Sequence, residues 1–208
     1  MGSSVGPALA KQLISQLGNS GVAIQGVEYP ATIESNISMG SEGGPEMAQL
    51  AEKALQNCPN TKIVLSGYSQ GATVTHYAVA KGGLSATKVA AAVLYGDPED
   101  GQAVGSLPSS KLKEFCGKRS ARQLQSQEHT ANNDLVAAGD GVCETHGFDI
   151  TAAHLSYTTG SDISEGAQFI VQQTGASKSA SAGGSTTTST PSSGFGGFGG
   201  LSGLFGGF

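Results

Sequence analysis

The segment IVLSGYSQGATV, residues 63–74, constrains the fold of this chain more than any other, because it carries Gly-x-Ser-x-Gly around Ser69. Residues 61–65 form a short apolar run that is typical of a buried parallel strand. Residues 72–80 favour a helix. A strand that enters a sharp, strained turn and continues as a helix is a nucleophile elbow, which presents its central serine at the edge of a sheet.

Ser69 has two interpretations, a catalytic nucleophile or an ordinary turn serine. The chain contains 32 glycines among 208 residues, so the five-residue pattern alone is weak support for catalysis. The strand before it and the helix after it favour the nucleophile, since the elbow needs both. Gly67 and Gly71 are then expected to be required, because a side chain at either position would crowd the strand-to-helix crossing.

Strand-like and helix-like segments alternate along most of the chain. Helices are predicted at residues 7–17, 45–57, 72–80 and 163–174, and strands at residues 22–27, 61–65, 88–95 and 113–116. Strands separated by helices imply right-handed crossovers and a parallel sheet that is covered on both faces. The predicted fold class is therefore α/β, a three-layer sandwich with a central, mostly parallel sheet.

The composition indicates one well-buried domain and argues against several kinds of partner. Hydrophobic residues make up 38% and charged residues 13% of the chain. A net charge of −5 gives no reason to expect nucleic acid as a partner. No apolar run predicts a transmembrane segment, the amino terminus lacks the features of a signal peptide, and Gly6 stands where myristoylation requires Ser or Thr. The sequence offers no metal-ligand spacing and no cofactor motif, so neither a metal nor a cofactor is predicted.

A serine nucleophile needs a base, which is usually a histidine held by a carboxylate. In an α/β fold these partners lie in loops after the later strands. The chain has four histidines: His76, His129, His146 and His154. The chain order of α/β-hydrolases, serine then acid then histidine, is satisfied when His154 is the base. Three acids precede it at suitable positions, namely Asp140, Glu144 and Asp149, and spacing alone does not choose between them.

Three motifs follow one another in an order that resembles a known enzyme family. They are GYSQGA around Ser69, GDGVC around Asp140 and AAHLSY around His154, and together they resemble the fungal cutinase family of serine esterases. The similarity also covers GVAIQGVEYPAT and CPNTKIVLSGYSQG, and so extends over most of the first 174 residues. The resemblance implies a cutinase-like α/β-hydrolase fold, with Ser69 as nucleophile, His154 as general base and Asp140 as the acid that orients it. It also implies that the backbone amide of Gln70 forms one arm of the oxyanion hole.

The resemblance carries further structural expectations. Cys116 and Cys143 are implied to form a disulfide that closes a loop around Asp140. His76 is implied to be a histidine at the surface or at the edge of the core. A shallow substrate groove is expected to include three apolar side chains, those of Leu94, Tyr95 and Leu155.

The sequence differs from the family pattern at its beginning. Proteins of the family carry a signal peptide and a first strand that supplies the second oxyanion arm, and Met1 falls within the region that follows that strand. Cys58 matches a family cysteine whose partner lies near the start, and three cysteines leave one thiol over. We therefore expect a domain truncated at its amino terminus, with its second oxyanion arm missing.

A second departure lies between Cys116 and Cys143, where the family has a short loop. Residues 117–137 are interpreted either as a native surface insertion, tolerated because loop-closure entropy grows slowly with length, or as a retained intron. The remaining organisation is a catalytic domain at residues 1–176 and a disordered tail at residues 177–208, rich first in Ser and Thr and then in Gly and Phe.

The sequence thus predicts a secreted, monomeric carboxylic-ester hydrolase of cutinase type. Its substrate would be a hydrophobic polyester (cutin) or a short acyl ester, cleaved by a Ser-His-Asp acyl-enzyme mechanism. A polysaccharide acetyl esterase with the same triad is one alternative. The other is an inactive product of a faulty gene model, and the truncation and insertion lead us to expect weak activity at most from the chain as given.

Overall fold

The computed structural model describes residues 2–117, 139–147 and 149–177. Of the insertion expected at residues 117–137, only Gly117 lies among these residues, and of the tail expected at residues 177–208, only Ser177 does. The expectations for both segments, and any role of His129, fall outside the described residues.

A parallel sheet of three strands forms the centre of the described structure. Its strands are β1 (Ile63–Tyr68), β2 (Val89–Tyr95) and β3 (Leu112–Phe115), in the spatial order β1-β2-β3. Tyr68 pairs with Tyr95, which in turn pairs with Phe115, so all three strands end at the same edge. Parallel strands that are buried on both faces consist of continuous apolar residues, and the sequence VAAAVLY of the central strand β2 has this character.

Five α-helices accompany the sheet in the described residues. They are α1 (Val5–Leu17), α2 (Gly44–Asn57), α3 (Gln70–Ala80), the short α4 (Gly141–Thr145) and α5 (Asp162–Thr174). Short 3₁₀ helices span Glu34–Ser38, Ala86–Lys88 and Ser109–Lys111. The four predicted helices are confirmed, each starting one or two residues earlier than the sequence indicated. Within the described part of the chain, no helix combines the length and apolar character needed to cross a bilayer.

Two hydrophobic cores lie on opposite faces of the sheet. Side chains of β2 alternate between them, since successive residues of a strand point to opposite faces. Ala92 and Leu94 pack in the core formed with α2 and α3. Val93 and Tyr95 pack in the core formed with α1 and α5. This arrangement confirms the three-layer α/β sandwich.

The strand predicted at residues 22–27 is wrong, because the chain is irregular there. A strand is stabilised by hydrogen bonds to a neighbouring strand, and among the described residues β1 pairs only with β2. The segment instead borders an apolar groove of about 1110 Å³ beside the open edge of β1, between α1 and α2. The alternation of apolar residues in this segment indicated partial burial. The sequence could not show whether another strand would lie close enough to pair with it.

The predicted disulfide between Cys116 and Cys143 is confirmed, with the two Cα atoms 5.7 Å apart. It joins the end of β3 to α4 and so ties the segment that carries Asp140 to the sheet. Cys58 is exposed and has no disulfide partner among the described cysteines.

Candidate active site

Ser69 occupies a strained turn between β1 and α3, with φ 54° and ψ −124°. A residue other than glycine at positive φ costs about 1–3 kcal/mol, so the surrounding structure must hold it in place. Two backbone hydrogen bonds do so, from Ser69 N–H to the Tyr95 carbonyl at 2.9 Å and from Ala72 N–H to the Ser69 carbonyl at 2.8 Å. The structure therefore confirms the elbow predicted from the motif.

The two glycines of the motif are not equally constrained. A Cβ atom on Gly67 would lie 2.2 Å from the backbone oxygen of Gly71, which cannot move without breaking the elbow. A Cβ atom on Gly71 would meet only the Tyr29 hydroxyl, at 3.3 Å. The expectation that both glycines are required is thus confirmed for Gly67. The space around Gly71 is less restricted, so the requirement for glycine there is weaker.

We expect Gly67→Ala to destabilise the protein by about 3 kcal/mol or more, because forcing atoms into a packed site costs about 1–3 kcal/mol even where side chains can yield. The free energy of unfolding of Gly71→Ala should lie within about 1 kcal/mol of the parent value. Alanine stabilises a helix by about 1 kcal/mol relative to glycine, which offsets the closer contact with Tyr29. Urea unfolding monitored by circular dichroism measures both. Equal losses for the two variants would contradict the difference in packing.

Asp140 is the acid that the structure pairs with His154. The Nδ1 atom of His154 lies 2.9 Å from Oδ1 and 2.8 Å from Oδ2 of Asp140, and both side chains are almost completely buried. Glu144 and Asp149, the alternatives left open by spacing, are exposed and make no hydrogen bond to His154 within the described residues. The remaining described histidine near α4, His146, is exposed, with its Nδ1 atom 3.0 Å from the Pro98 carbonyl.

Asp140 is held in its ionised form by several donors. As the N-cap of α4, it accepts a hydrogen bond from Val142 N–H on Oδ1 at 2.9 Å, and Oδ2 accepts one from the Tyr157 hydroxyl. Burial by itself would raise the pKa of Asp140. Hydrogen bonds from His154, Tyr157 and the α4 backbone outweigh it and hold the pKa of this carboxyl below its usual value.

Tyr157 is a site residue that the sequence analysis missed. It is 2% exposed, donates its hydroxyl hydrogen to Asp140 and accepts a hydrogen bond from Gly117 N–H at 2.8 Å. Burial and the neighbouring Asp140 raise the pKa of this hydroxyl, so it remains a donor. Its signal was present as the last residue of AAHLSY, but the sequence could not show that its hydroxyl reaches the carboxylate.

The ring of His154 is held between β1 and the end of β2. Tyr68 stacks on it with ring centroids 4.9 Å apart, and the Tyr68 hydroxyl donates to the His154 carbonyl at 2.8 Å. On the other side, a Cβ atom on Gly96 would lie 2.6 Å from His154 Nδ1, so only glycine leaves room for the ring. Ser69 follows Tyr68 directly, which places it at the same end of the sheet as His154.

No hydrogen bond between Ser69 and His154 occurs among the residues that the structure describes. Contacts of a general base with its nucleophile are commonly long in a free enzyme and shorten when substrate binds. The structure thus joins Asp140 to His154 directly and brings Ser69 to the same edge of the sheet, without a hydrogen bond between Ser69 and His154 among the described residues.

Gln70, the expected oxyanion donor, is the first residue of α3. At this position a backbone N–H has no intrahelical acceptor and lies at the positive end of the helix dipole. The Gln70 side chain donates from Nε2 to Ser35 Oγ at 2.6 Å, and so ties the 3₁₀ segment Glu34–Ser38 to the elbow.

Two expectations about surrounding residues are wrong. His76 is buried, at 4% exposure, because its Nε2 atom lies 2.8 Å from Asp97 Oδ2 and the buried imidazole is thereby satisfied. Leu94 and Tyr95 are fully buried and cannot line a groove, because β2 is the central strand and both of its faces are covered. Leu155, the third expected groove residue, is 68% exposed.

His76 and its neighbours also have shifted pKa values. Burial would lower the pKa of His76, but the hydrogen bond to Asp97 and the charges of nearby carboxylates outweigh it and raise the pKa overall. Burial, with the charge of Asp100, raises the pKa of Glu114 to about 7. Several acidic side chains therefore stand close to this histidine.

Exposed aliphatic side chains lie on the segment that contacts Gln70 and on the segment that carries His154. Ile33 and Ile37 are 79% and 81% exposed and belong to the segment that Gln70 contacts through Ser35. Leu155 is the neighbour of His154 in the chain. We refer to Ile33, Ile37 and Leu155 as the apolar rim.

We expect Tyr157→Phe to destabilise the protein by about 1.5–3 kcal/mol at neutral pH, the usual range for a hydrogen bond to a charged group. The folded-state pKa of Asp140 lies below its unfolded value, so its stabilising contribution is present above the unfolded pKa and is lost as pH falls through the folded pKa. The deficit of the variant should therefore shrink below about pH 4.

Urea unfolding at a series of pH values measures this deficit. Tyr77→Phe, which removes a hydroxyl that does not contact Asp140, is the control and should show a small deficit at every pH. A deficit of Tyr157→Phe that does not vary with pH would show that the hydroxyl acts through packing alone.

Comparison with known proteins gives consistent matches. The cutinase family model matches residues 1–174. Cutinase 4 of Emericella nidulans is 43% identical over 175 residues, which cover 84% of this chain and 66% of that protein. The cutinase of Monilinia fructicola is 36% identical over 177 residues, covering 84% of this chain and 76% of that protein. The chain therefore spans about two thirds to three quarters of the length of these relatives.

Solved structures show the same likeness. Trichoderma reesei cutinase in complex with a phosphonate inhibitor superposes with a TM-score of 0.65 at 33% identity, covering 84% of this chain and 69% of that one. An acetyl xylan esterase superposes with a TM-score of 0.55 at 20% identity, covering 81% of this chain and 89% of that one. At this lower identity the likeness shows a shared fold only.

Proposed function

Because the chain belongs to the cutinase family of carboxylic-ester hydrolases, we propose that it cleaves esters through an acyl-enzyme formed on Ser69. His154 is the general base in this proposal, and Asp140 is the acid that orients it. The observation that carries the proposal is the buried hydrogen bond of His154 to Asp140 at the sheet edge where the elbow presents Ser69.

The chemistry follows from the roles of these groups. Ser69 Oγ attacks the ester carbonyl while Nε2 of His154 takes its proton, and the Nδ1–H of the imidazolium stays hydrogen-bonded to ionised Asp140. The oxyanion of the tetrahedral intermediate accepts a hydrogen bond from Gln70 N–H, where the α3 dipole favours negative charge. The alcohol leaves with the proton from His154. Water, which gives a proton to His154, then attacks the acyl-serine. The carboxylic acid is released, and Ser69 Oγ recovers its proton from His154.

The apolar rim favours a hydrophobic acyl or polyester substrate. Ile33, Ile37 and Leu155 can remove apolar surface from water when they contact an aliphatic chain, at about 25 cal/mol per Å². A decorated polysaccharide presents mostly hydroxyl groups, for which these side chains offer no hydrogen bonds. The acetyl polysaccharide esterase with the same triad is therefore the second candidate.

Secretion is part of the same proposal. Disulfides persist in oxidising compartments, and the Cys116–Cys143 bond ties down the segment that carries Asp140.

The role of the triad is tested by substitution in the 208-residue protein. Ser69→Ala and Asp140→Asn should each lower kcat/KM for p-nitrophenyl butyrate by about a thousandfold or more, because each removes a group used in the transition state. Asp149→Asn is the matched control and should change the rate by less than about threefold, since Asp149 is exposed and does not contact His154.

A second measurement removes the dependence on turnover. An alkyl p-nitrophenyl phosphonate should add its phosphonyl group once to the parent protein and not to Ser69→Ala, as read by intact-mass spectrometry. A parent protein that neither hydrolyses the ester nor accepts the phosphonyl group would overturn the proposed activity. Labelling that persists in Ser69→Ala would place the nucleophile elsewhere.

The apolar rim gives a separate prediction about substrate choice. Ile33→Ser and Leu155→Ser should each lower kcat/KM for p-nitrophenyl decanoate by about tenfold while leaving the acetate ester nearly unchanged, since a lost aliphatic contact costs about 1–3 kcal/mol. Ile24→Ser is the control, because Ile24 is also exposed but borders the groove beside β1. Equal losses on both esters would show that the rim does not select the acyl chain.

A further inference from the structure

A second histidine lies near the active site and belongs to a cluster of its own. His76, Asp97 and Glu114 each offer one nitrogen or oxygen atom, and these three atoms lie within 4.8 Å of one another. His76 and Asp97 are 4% and 1% exposed, and Glu114 is partly buried. We call these three residues the His76 cluster.

The three side chains come from three different elements. His76 lies on α3, Asp97 follows the end of β2, and Glu114 lies on β3. Long stretches of chain separate them, so no metal-ligand spacing was visible in the sequence. Helix and strand positions hold side chains more precisely than loops do, and a cluster on such elements is well suited to binding a small ion.

Backbone donors hold both carboxylates of the cluster in place. Oδ1 of Asp97 accepts a hydrogen bond from Glu99 N–H at 2.8 Å, whereas Oδ2 lies 2.8 Å from His76 Nε2. Oε1 of Glu114 accepts a hydrogen bond from Gly101 N–H at 3.2 Å. Hydrogen bonds of this kind orient metal ligands in known sites.

Further acidic side chains lie around the cluster. Besides Asp97 and Glu114, the carboxylate of Glu99 lies 4.0 Å from His76 Nδ1, and the charge of Asp100 acts on Glu114. Lys81 acts on this group through Glu99. These carboxylates repel one another, and a divalent cation bound between them would offset that repulsion.

We propose that His76, Asp97 and Glu114 form a binding site for a divalent transition-metal ion, for which Zn²⁺ is the best match. One imidazole nitrogen and two carboxylate oxygens, with water as a fourth ligand, make a usual zinc donor set. Ca²⁺ and Mg²⁺ fit less well, because they prefer all-oxygen sites with more ligands. With zinc bonds of about 2.0–2.1 Å, the ligand atoms of His76 and Asp97 need to stand roughly 3.3 Å apart, so the pair opens by about half an ångström.

The ion would act on the structure and would take no part in the ester chemistry. Asp97 follows Gly96 directly, and a Cβ atom on Gly96 would lie within 2.7 Å of atoms of both His154 and Asp140. Holding Asp97 in place therefore holds the turn that packs behind the proposed base and acid. The site is distinct from the triad, since His154 and Asp140 bind each other.

Titration of the 208-residue protein with zinc chloride tests the proposal. The protein is first freed of metal with EDTA and dialysed, then followed by isothermal titration calorimetry and by its thermal midpoint. We expect one equivalent of Zn²⁺ to bind and to raise the midpoint, with no effect of MgCl₂ at the same concentration. Glu114→Gln should weaken zinc binding by about tenfold or more, the usual loss when a metal site is disturbed.

Two matched controls separate this site from adventitious binding. Glu42→Gln removes an exposed carboxylate and His146→Gln removes an exposed imidazole, and both should leave the zinc affinity within about twofold of the parent. Glu114 is only partly buried, so its variant is expected to fold even if a His76 variant does not. Absence of zinc binding, equal affinity in Glu114→Gln, or loss of binding in His146→Gln would overturn the proposal.

Discussion

The pairing of β1 with the central strand β2 organises the whole site. It sets Tyr68 opposite Tyr95 and allows the Ser69 amide to donate to the Tyr95 carbonyl at 2.9 Å, which holds the strained serine. The residue after Tyr95 is Gly96, whose missing side chain leaves the space taken by His154 and Asp140. Ser69 and His154, the proposed nucleophile and base, are therefore both positioned from the end of β2.

The proposed acid and base depend on a buried network of hydrogen bonds. Asp140 accepts hydrogen bonds from His154, from the Tyr157 hydroxyl and from the first turn of α4. The Tyr157 hydroxyl also accepts a hydrogen bond from Gly117 N–H, just after β3. In a low-dielectric interior such bonds are strong when complete and costly when one is missing. The network thus makes the orientation of the imidazole a property of three elements, the end of β3, α4 and the turn that carries His154.

Two histidine–aspartate pairs meet the chain at neighbouring residues in different surroundings, since His154 and Asp140 pack against Gly96 and His76 pairs with Asp97. Asp140 is balanced by donors, so its pKa is lowered and the charge remains on the carboxylate. Asp97 and His76 stand instead among further acids, and there the pKa of Glu114 is raised to about 7. The first environment suits orientation of a base, and the second suits a bound cation or a retained proton.

The sequence by itself determined the elements whose signal is local. The elbow at Ser69, the four long helices and the apolar run of β2 were predicted correctly, because periodicity and the glycine pattern act within a few residues. The resemblance of three motifs added the pairing of Cys116 with Cys143.

Only the tertiary structure decided the features that depend on contacts between residues remote in the chain. In the structure His154 is hydrogen-bonded to Asp140 and not to Glu144 or Asp149, and the Tyr157 hydroxyl donates to the Asp140 carboxylate. His76 is buried against Asp97. Residues 22–27 have no strand to pair with among the described residues. Each of these outcomes depends on which groups meet in space, and distances between groups remote in sequence are set by the packing of helices on the sheet.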